Sequence, residues 1–370
     1  MQIRAAVVEK AGGPFRITTL ELEDPRPDEV LVRVVAAGVC RTDLHIRDQE
    51  YPVPSFPVVA GHESTGVVES VGADVPGIRP GDHVIASYPS CGTCAACLSG
   101  RLPYCRDGFR LSFGGSRLDG SSALRTLDGT PVNGHVFQQS SFATHAIVHR
   151  RNLVVLPSSV TDLALLAPLG CGVQTGAGTV LQALRVRSGS TVAVWGTGSV
   201  GLSAVMAAAT AGARIVAALD TDPARLDLAR RLGATHVVDP TATDPVAQLL
   251  AWEPDGIEFA IDTTGSPAVL ADALRAIRMT GELALVGAAP AGTTSSIDMG
   301  VLLNGRRMRG VIQGDAVPQR FLPELVRLHR RGRLPIEQLV AYYDFEDIER
   351  AVADMSAGAV IKPVLRMSAP

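Results

Sequence analysis

Residues 191–220, TVAVWGTGSVGLSAVMAAATAGARIVAALD, constrain the fold of this 370-residue chain more than any other stretch. A short apolar run (Val192, Val194, Trp195) enters Gly196-Thr197-Gly198-Ser199-Val200-Gly201. An alanine-rich helical segment follows, then a turn at 211–213 and a second apolar run ending in Asp220. Each glycine has a physical task in holding a dinucleotide. The first permits a tight turn off a strand, the second lets a pyrophosphate approach the backbone, and the third lets helix pack on sheet. The new helix offers unpaired N–H groups to the phosphate charge. Gly196, Gly198, Val200 and Gly201 are therefore the candidate phosphate contacts. Asp220, about 20 residues on, is placed to bind the adenosine ribose. Its carboxylate would repel a 2′-phosphate, which favours NAD over NADP. Arg225 is the nearby cation that argues the other way, and it joins the candidate cofactor residues.

From about residue 172 the chain alternates helix and strand. Strands are expected over 191–195, 214–220, 236–238, 257–262, 282–286 and 309–312. Helices are expected over 176–184, 199–211, 223–232, 245–252 and 267–277. Short strands spaced by helices make a doubly wound parallel sheet in an α/β protein. Before it, residues 1–90 read as β-rich, with runs at 5–8, 29–36, 63–71 and 83–86 between Gly and Pro punctuation. Further strands are expected at 142–148 and 152–156, with an apolar helical region from 158 to 169. Residues 106–135 are rich in Gly, Ser and Asp and weakly patterned, so a long surface loop is expected there. The tail adds helices at 320–330 and 345–355 and a strand at 361–365. The expected organisation is a β-rich catalytic domain over 1–172 and 316–370, with a nucleotide domain over 173–315 between its parts.

Six cysteines remain to be explained. The first residues carry no apolar core of signal-peptide length, so a cytoplasmic location is expected and a disulfide framework is not. Charges interrupt every apolar run, so no membrane is expected as partner. The net charge of −3 gives no reason to expect nucleic acid. Cys91-x2-Cys94-x2-Cys97-x7-Cys105 places four thiols in 15 residues, enough to close a tetrahedral structural zinc site. Ferredoxin spacings differ, and a nucleic-acid zinc ribbon needs a longer gap. Cys40 and Cys171 stand far apart. With His62 they make the two-thiolate, one-imidazole set of a zinc that keeps a fourth position open. Taken singly, Cys171 and His62 are more often core residues; it is their combination with a dinucleotide site that points to a metal. His83, His135, His145, His149, His236 and His329 lack any partner pattern and are read as structural.

These motifs together resemble the zinc-dependent medium-chain alcohol dehydrogenases over essentially the whole chain. The matching residues are Cys40-Arg41-Thr42-Asp43, Gly61-His62-Glu63, Gly81-Asp82-His83-Val84, the four-cysteine lobe, Gly170-Cys171-Gly172 and the glycine turn. Residues 171–176 and 139–144 look most like the aryl-alcohol (benzyl alcohol) dehydrogenases, with geraniol and perillyl alcohol enzymes similar. The resemblance implies a GroES-like β-rich catalytic domain beside a Rossmann domain, and NAD with two zinc ions per chain. It implies that Cys40, His62 and Cys171 hold the catalytic zinc, that Asp43 orients His62, and that Glu63 stands behind the metal. Thr42 would take the alcohol proton and pass it by the cofactor ribose to His45, while Arg41 and Lys362 would face the pyrophosphate. Ser87, Tyr88, Tyr51 and Leu118 are candidate pocket residues. A primary aromatic or allylic alcohol and its aldehyde are the expected substrate pair. The glutathione adduct of formaldehyde is the second choice, and a catalytically silent scaffold keeping only the structural zinc is the non-enzyme reading. A homodimer or homotetramer is expected, pairing near 301–312.

Overall fold

A short strand that is apolar along its whole length must be covered on both faces, and helices supply that cover. In the computed structural model, which describes residues 1–50 and 54–367, two such strands stand inside a sheet of six that run parallel. The six are Thr191–Trp195, Ile215–Leu219, His236–Val238, Ile257–Asp262, Ile277–Leu285 and Arg307–Gly310. Their order across the sheet is third, second, first, fourth, fifth, sixth. Every residue of the first two is buried. The order reverses beside the first strand, and ligands of such sheets bind outside the strand ends at that point. The glycine turn leaves the first strand there. Helices Pro223–Arg231 and Pro245–Trp252 begin on proline, with Asp222 and Asp244 accepting from the first free N–H groups.

The chain divides into two compact units, Met1–Cys171 with Val317–Val326 and Ile336–Pro370, and Gly172–Ala316 with Arg327–Pro335. Residues 327–335 thus depart from the expected boundary and belong to the nucleotide unit. The Thr210 hydroxyl donates to the Arg333 carbonyl at 2.8 Å, and the Arg333 guanidinium donates back to the Thr210 carbonyl at 3.3 Å. The helix expected at 176–184 begins earlier, at Gly172, and widens to a π-helix over Thr179–Ala183. The last strand of the sheet lies two residues before its expected place. The helix Met299–Leu303 was not anticipated.

The other unit is built on two sheets. In one, Val58–Val59, Gln2–Val8, Arg16–Leu22, Leu124–Arg125 and Pro131–Val132 pair in that order. In the other, Leu153–Val155, His83–Ala86, Ser64–Val71, Glu29–Gly38, Lys362–Arg366 and Val340–Asp344 form the path, and His145–His149 pairs with Glu29–Gly38. Phe142, Phe345 and Leu20 are among the fully buried side chains.

The surface loop expected at 106–135 is instead a packed segment. It holds the helix Gly108–Phe113 and a two-strand extension of the first sheet. Arg117, 5% exposed, pairs through two nitrogens with the equally buried Glu29, at 2.6 and 2.8 Å, and also donates to Glu23. The pairing is long-range in sequence and leaves no periodic pattern. His135 lies beside it at 1% exposure, and its Nε2 accepts from the Ala123 N–H at 3.2 Å. Burial, assisted by the Arg117 charge, lowers the His135 pKa to about 4. The folded ring is therefore neutral where the unfolded ring, near 6.5, has already taken a proton. Stability should be fully present above pH 6.5 and fall as pH drops toward 4, by up to about 3 kcal/mol. Melting temperatures across pH 4–7 check this; a His135→Gln protein should show a shallower slope, and an unchanged slope contradicts it.

Candidate metal and dinucleotide sites

Asp43 is the residue around which the first site is assembled. It is the third residue of the helix Arg41–Arg47, whose N-cap is Cys40, and it is fully buried. Its Oδ2 accepts from the Cys40 N–H at 2.9 Å, closing the helix N-terminus. Its Oδ1 accepts from the Gly61 N–H at 3.0 Å and meets His62 Nδ1 at 2.9 Å. One carboxylate therefore sets the backbone of one sulfur ligand and the ring of the imidazole. Gly61 adopts φ +96°, and a Cβ there would stand 2.4 Å from the Phe142 nitrogen, so only glycine fits. The Phe137 ring stacks on His62 with centroids 4.5 Å apart.

Ligand atoms of Cys40, His62, Glu63 and Cys171 all lie within 4.8 Å of one another. His62 Nε2 and Glu63 Oε2 are buried and have no hydrogen-bond partner among the described residues. A hydrogen bond from Cys171, aided by Lys362 and His62, holds the Cys40 thiol well below its usual range despite burial. The same bond, with burial and the Cys40 charge, pushes the Cys171 thiol well above it. The two sulfurs thus meet in a hydrogen bond beside the His62 Nε2. Burial opposes charge on the His62 ring, but Asp43 and Cys40 outweigh it and raise its pKa well above normal. A donor set of two thiolates and an imidazole fits zinc, and all six cysteines are free of disulfides.

Burial pushes the Glu63 carboxyl up to about 7 against the pull of Lys362. Lys362, expected to face a pyrophosphate, is itself buried, and its Nζ donates to Glu63 Oε1 at 3.0 Å and the Val39 carbonyl at 3.1 Å. The pairing has a simple cause: a carboxylate with no access to water needs a counter-charge. Arg41 is exposed at the first turn of its helix, and Thr42 beside it is half-buried. His45 Nδ1 meets Glu50 Oε2 at 2.6 Å, a partner the sequence did not indicate.

Cys91, Cys94, Cys97 and Cys105 form a second cluster, again with all sulfurs within 4.8 Å. Backbone N–H groups of Cys91, Cys94 and Arg106 point at sulfurs of Cys105, Cys91 and Cys94. The Arg106 N–H, with further hydrogen bonds from Cys97 and Cys91, lowers the Cys94 thiol to about 6. Of the expected pocket residues, Ser87 is fully buried with its hydroxyl on the Gly170 carbonyl at 2.8 Å. Tyr88 is also buried, whereas Leu118 is 47% exposed. Ser87 thus ties the backbone before Cys171 in place. Tyr51 lies outside the described residues.

In the nucleotide unit, Gly196 takes φ +84°, and Gly201 is pressed so close that a Cβ would stand 1.8 Å from the Gly196 carbonyl oxygen. A Cβ on Gly198 would meet no protein atom within 4 Å. Packing therefore demands the first and third glycines, while the second is explained by an approaching ligand. Asp220 Oδ2 accepts from the Thr197 N–H at 2.6 Å and its hydroxyl at 2.8 Å, tying the acid to the turn. Its remaining lone pairs still suit ribose hydroxyls. The Thr263 hydroxyl braces the turn by donating to the Trp195 and Gly196 carbonyls, at 2.8 and 3.1 Å. Val200 is half-buried in the helix Ser199–Thr210, and Arg225 Nε lies 3.5 Å from Asp222.

Residues 26–158 match the family described as the alcohol dehydrogenase GroES-like domain, and residues 199–330 match the zinc-binding dehydrogenase family. A geraniol dehydrogenase from Castellaniella defragrans is 40% identical over 365 residues, 98% of this chain and 97% of its own. The crystal structure of benzyl alcohol dehydrogenase from Acinetobacter calcoaceticus shares 43% identity and a TM-score of 0.95, with 100% of both chains covered. An alcohol dehydrogenase zinc-binding domain protein from Burkholderia ambifaria shares 47% identity and a TM-score of 0.98, also with 100% of both chains covered.

Proposed function

This chain belongs to the zinc-binding alcohol dehydrogenases, and from that membership we propose that it oxidises primary aromatic or allylic alcohols reversibly to aldehydes with NAD. Support for the substrate class comes from the full-length likeness to a geraniol dehydrogenase and to a benzyl alcohol dehydrogenase. The observation that carries the chemistry is the meeting of the Cys40 and Cys171 sulfurs with the buried Nε2 of His62. We assign one zinc to those three residues and a second, structural zinc to Cys91, Cys94, Cys97 and Cys105.

When bound, zinc supplies Lewis acidity at the substrate oxygen and NAD accepts the hydride. The chain's own residues do the rest. Asp43 keeps Nδ1 of His62 engaged, so that Nε2 faces the metal position. Thr42 takes the alcohol proton, and His45, held by Glu50, delivers it to solvent. Lys362 balances the Glu63 carboxylate behind the site. The glycine turn and Asp220 hold the adenosine and pyrophosphate end of the cofactor.

Steady-state rates with benzyl alcohol, geraniol and S-(hydroxymethyl)glutathione, each with NAD and NADP, test the reading. The expected result is a kcat/KM at least about tenfold higher for NAD, since Asp220 opposes a 2′-phosphate. Benzyl alcohol or geraniol should outrank the glutathione adduct; the reverse order overturns the substrate assignment. We further propose a cytoplasmic homo-oligomer, in keeping with six cysteines that form no disulfide. The edge strand Arg307–Gly310, near the 82% exposed Met299 and the 87% exposed Leu303, is its contact. Light scattering of the purified protein distinguishes dimer, tetramer and monomer.

A further inference from the structure

His62 and Cys171 are more than a hundred positions apart in the chain, yet they are joined by a short polar path that leaves the metal position untouched. The Gln139 side chain, 1% exposed, stands at its centre. Its Nε2 donates to the His62 carbonyl at 3.0 Å and to the Ser87 carbonyl at 3.3 Å. Its Oε1 accepts from the Ser64 hydroxyl at 2.9 Å, so both donors of the amide and its oxygen are engaged. The Ser87 hydroxyl then donates to the carbonyl of Gly170, the residue before Cys171. Asp43 already fixes Cys40 to His62.

The backbone that presents Gln139 is costly. Phe137, Gln138 and Ser140 have φ of +50°, +53° and +46°, a region side chains other than glycine rarely occupy. Such strain persists only where surroundings over-determine it, and it concentrates at functional sites. Here the Ser140 hydroxyl on the Val59 carbonyl and the Asn152 amide on the Phe137 carbonyl hold it in place. A residue that only filled space would not require three neighbours in this conformation.

We infer that Gln139, acting through Ser87, is a positioning residue that sets the spacing between His62 and Cys171 and so the grip of the catalytic metal site. The inference rests on zinc being held by Cys40, His62 and Cys171. Removal of outer partners of metal ligands commonly costs 10–100-fold in metal affinity.

The test uses the full chain loaded with zinc and measures zinc transfer to a coloured chelator. The phase due to the four-cysteine lobe is identified from Cys40→Ser protein. Gln139→Met and Ser87→Ala should each speed release from the catalytic site about 10- to 100-fold and leave the lobe's phase unchanged. If the two residues act in one path, the double variant releases little faster than Gln139→Met alone. The visible spectrum of the cobalt-substituted site should shift in both variants. The KM for NAD should stay constant while kcat falls. Wild-type release rates in both single variants, or effects that multiply in the double variant, overturn the inference. Should Gln139→Met not fold, Ser87→Ala decides alone, since it deletes a single hydroxyl. Wild-type protein holding no zinc at Cys40, His62 and Cys171 overturns the assignment beneath the inference and the inference with it.

Discussion

Cys40→Ser protein is expected to lose at least about a thousandfold in kcat/KM for benzyl alcohol while binding NAD as the wild type does. A serine hydroxyl does not ionise here and cannot replace a thiolate toward a soft cation. Cys171 would lose its sulfur hydrogen-bond partner, and His62 Nε2 would have no neighbouring sulfur on that side. Lewis-acid stabilisation is worth several kcal/mol, and each 1.36 kcal/mol is about tenfold in rate, which gives about a thousandfold. Metal analysis should find one zinc fewer per chain. NAD affinity, followed by fluorescence titration, should hold because the glycine turn, Thr197 and Asp220 keep their own bonds. A Cys40→Ser protein lacking that zinc but turning over at the wild-type rate would remove the basis of the proposed chemistry.

Arg117→Met should be the most destabilising single change outside the metal sites, by about 3–5 kcal/mol. The guanidinium is buried, and it satisfies both oxygens of Glu29. Burial works against the Glu29 charge, and Arg117 outweighs it, so the carboxyl titrates below its ordinary 4.5. Methionine has similar bulk but leaves that carboxylate buried without a counter-charge. Replacing both residues, as in Arg117→Met with Glu29→Leu, should recover most of the loss, because a buried pair is only weakly better than a packed apolar substitute. The pH dependence has a definite sign. A carboxyl depressed in the fold contributes stability above its unfolded pKa and loses it as pH falls through the folded value. The gap in melting temperature between wild type and Arg117→Met should therefore hold from pH 7 to about 5 and close below that. A gap that widens in acid contradicts the assignment.

What the sequence made legible were features whose chemistry is written in local spacing. The glycine turn with its flanking strands and the four-cysteine lobe each follow from residue type and interval, whereas the grouping of Cys40 with His62 came from the dinucleotide motif and the family resemblance. The six-stranded parallel sheet follows from the rhythm of apolar runs: three strands have the expected bounds, and the ends of the other three are displaced by one to five residues. Features that join distant positions were not legible. Nothing near Arg117 announces Glu29, 88 positions away, so a packed segment read as a loop. The charge of Lys362 was legible, but its bond to Glu63, 299 positions away, was not. Gln139 stood inside a stretch that signalled family likeness, yet no pattern marked its amide as a fastener for the His62 backbone. Ser87 looked like a pocket residue because of its place before the lobe, and only the fold shows its hydroxyl turned to Gly170.

The pair of hydrogen bonds from Thr197 to Asp220 bears on any attempt to shift the proposed NAD preference toward NADP. Exchanging the acid for a small neutral residue would lift the repulsion of the extra phosphate, but it would also unfasten the loop that receives the shared phosphates. Both coenzymes would then bind more weakly, and selectivity would be gained at the expense of grip. A productive redesign would alter position 197 in the same step, supplying a fastener that does not depend on a negative charge.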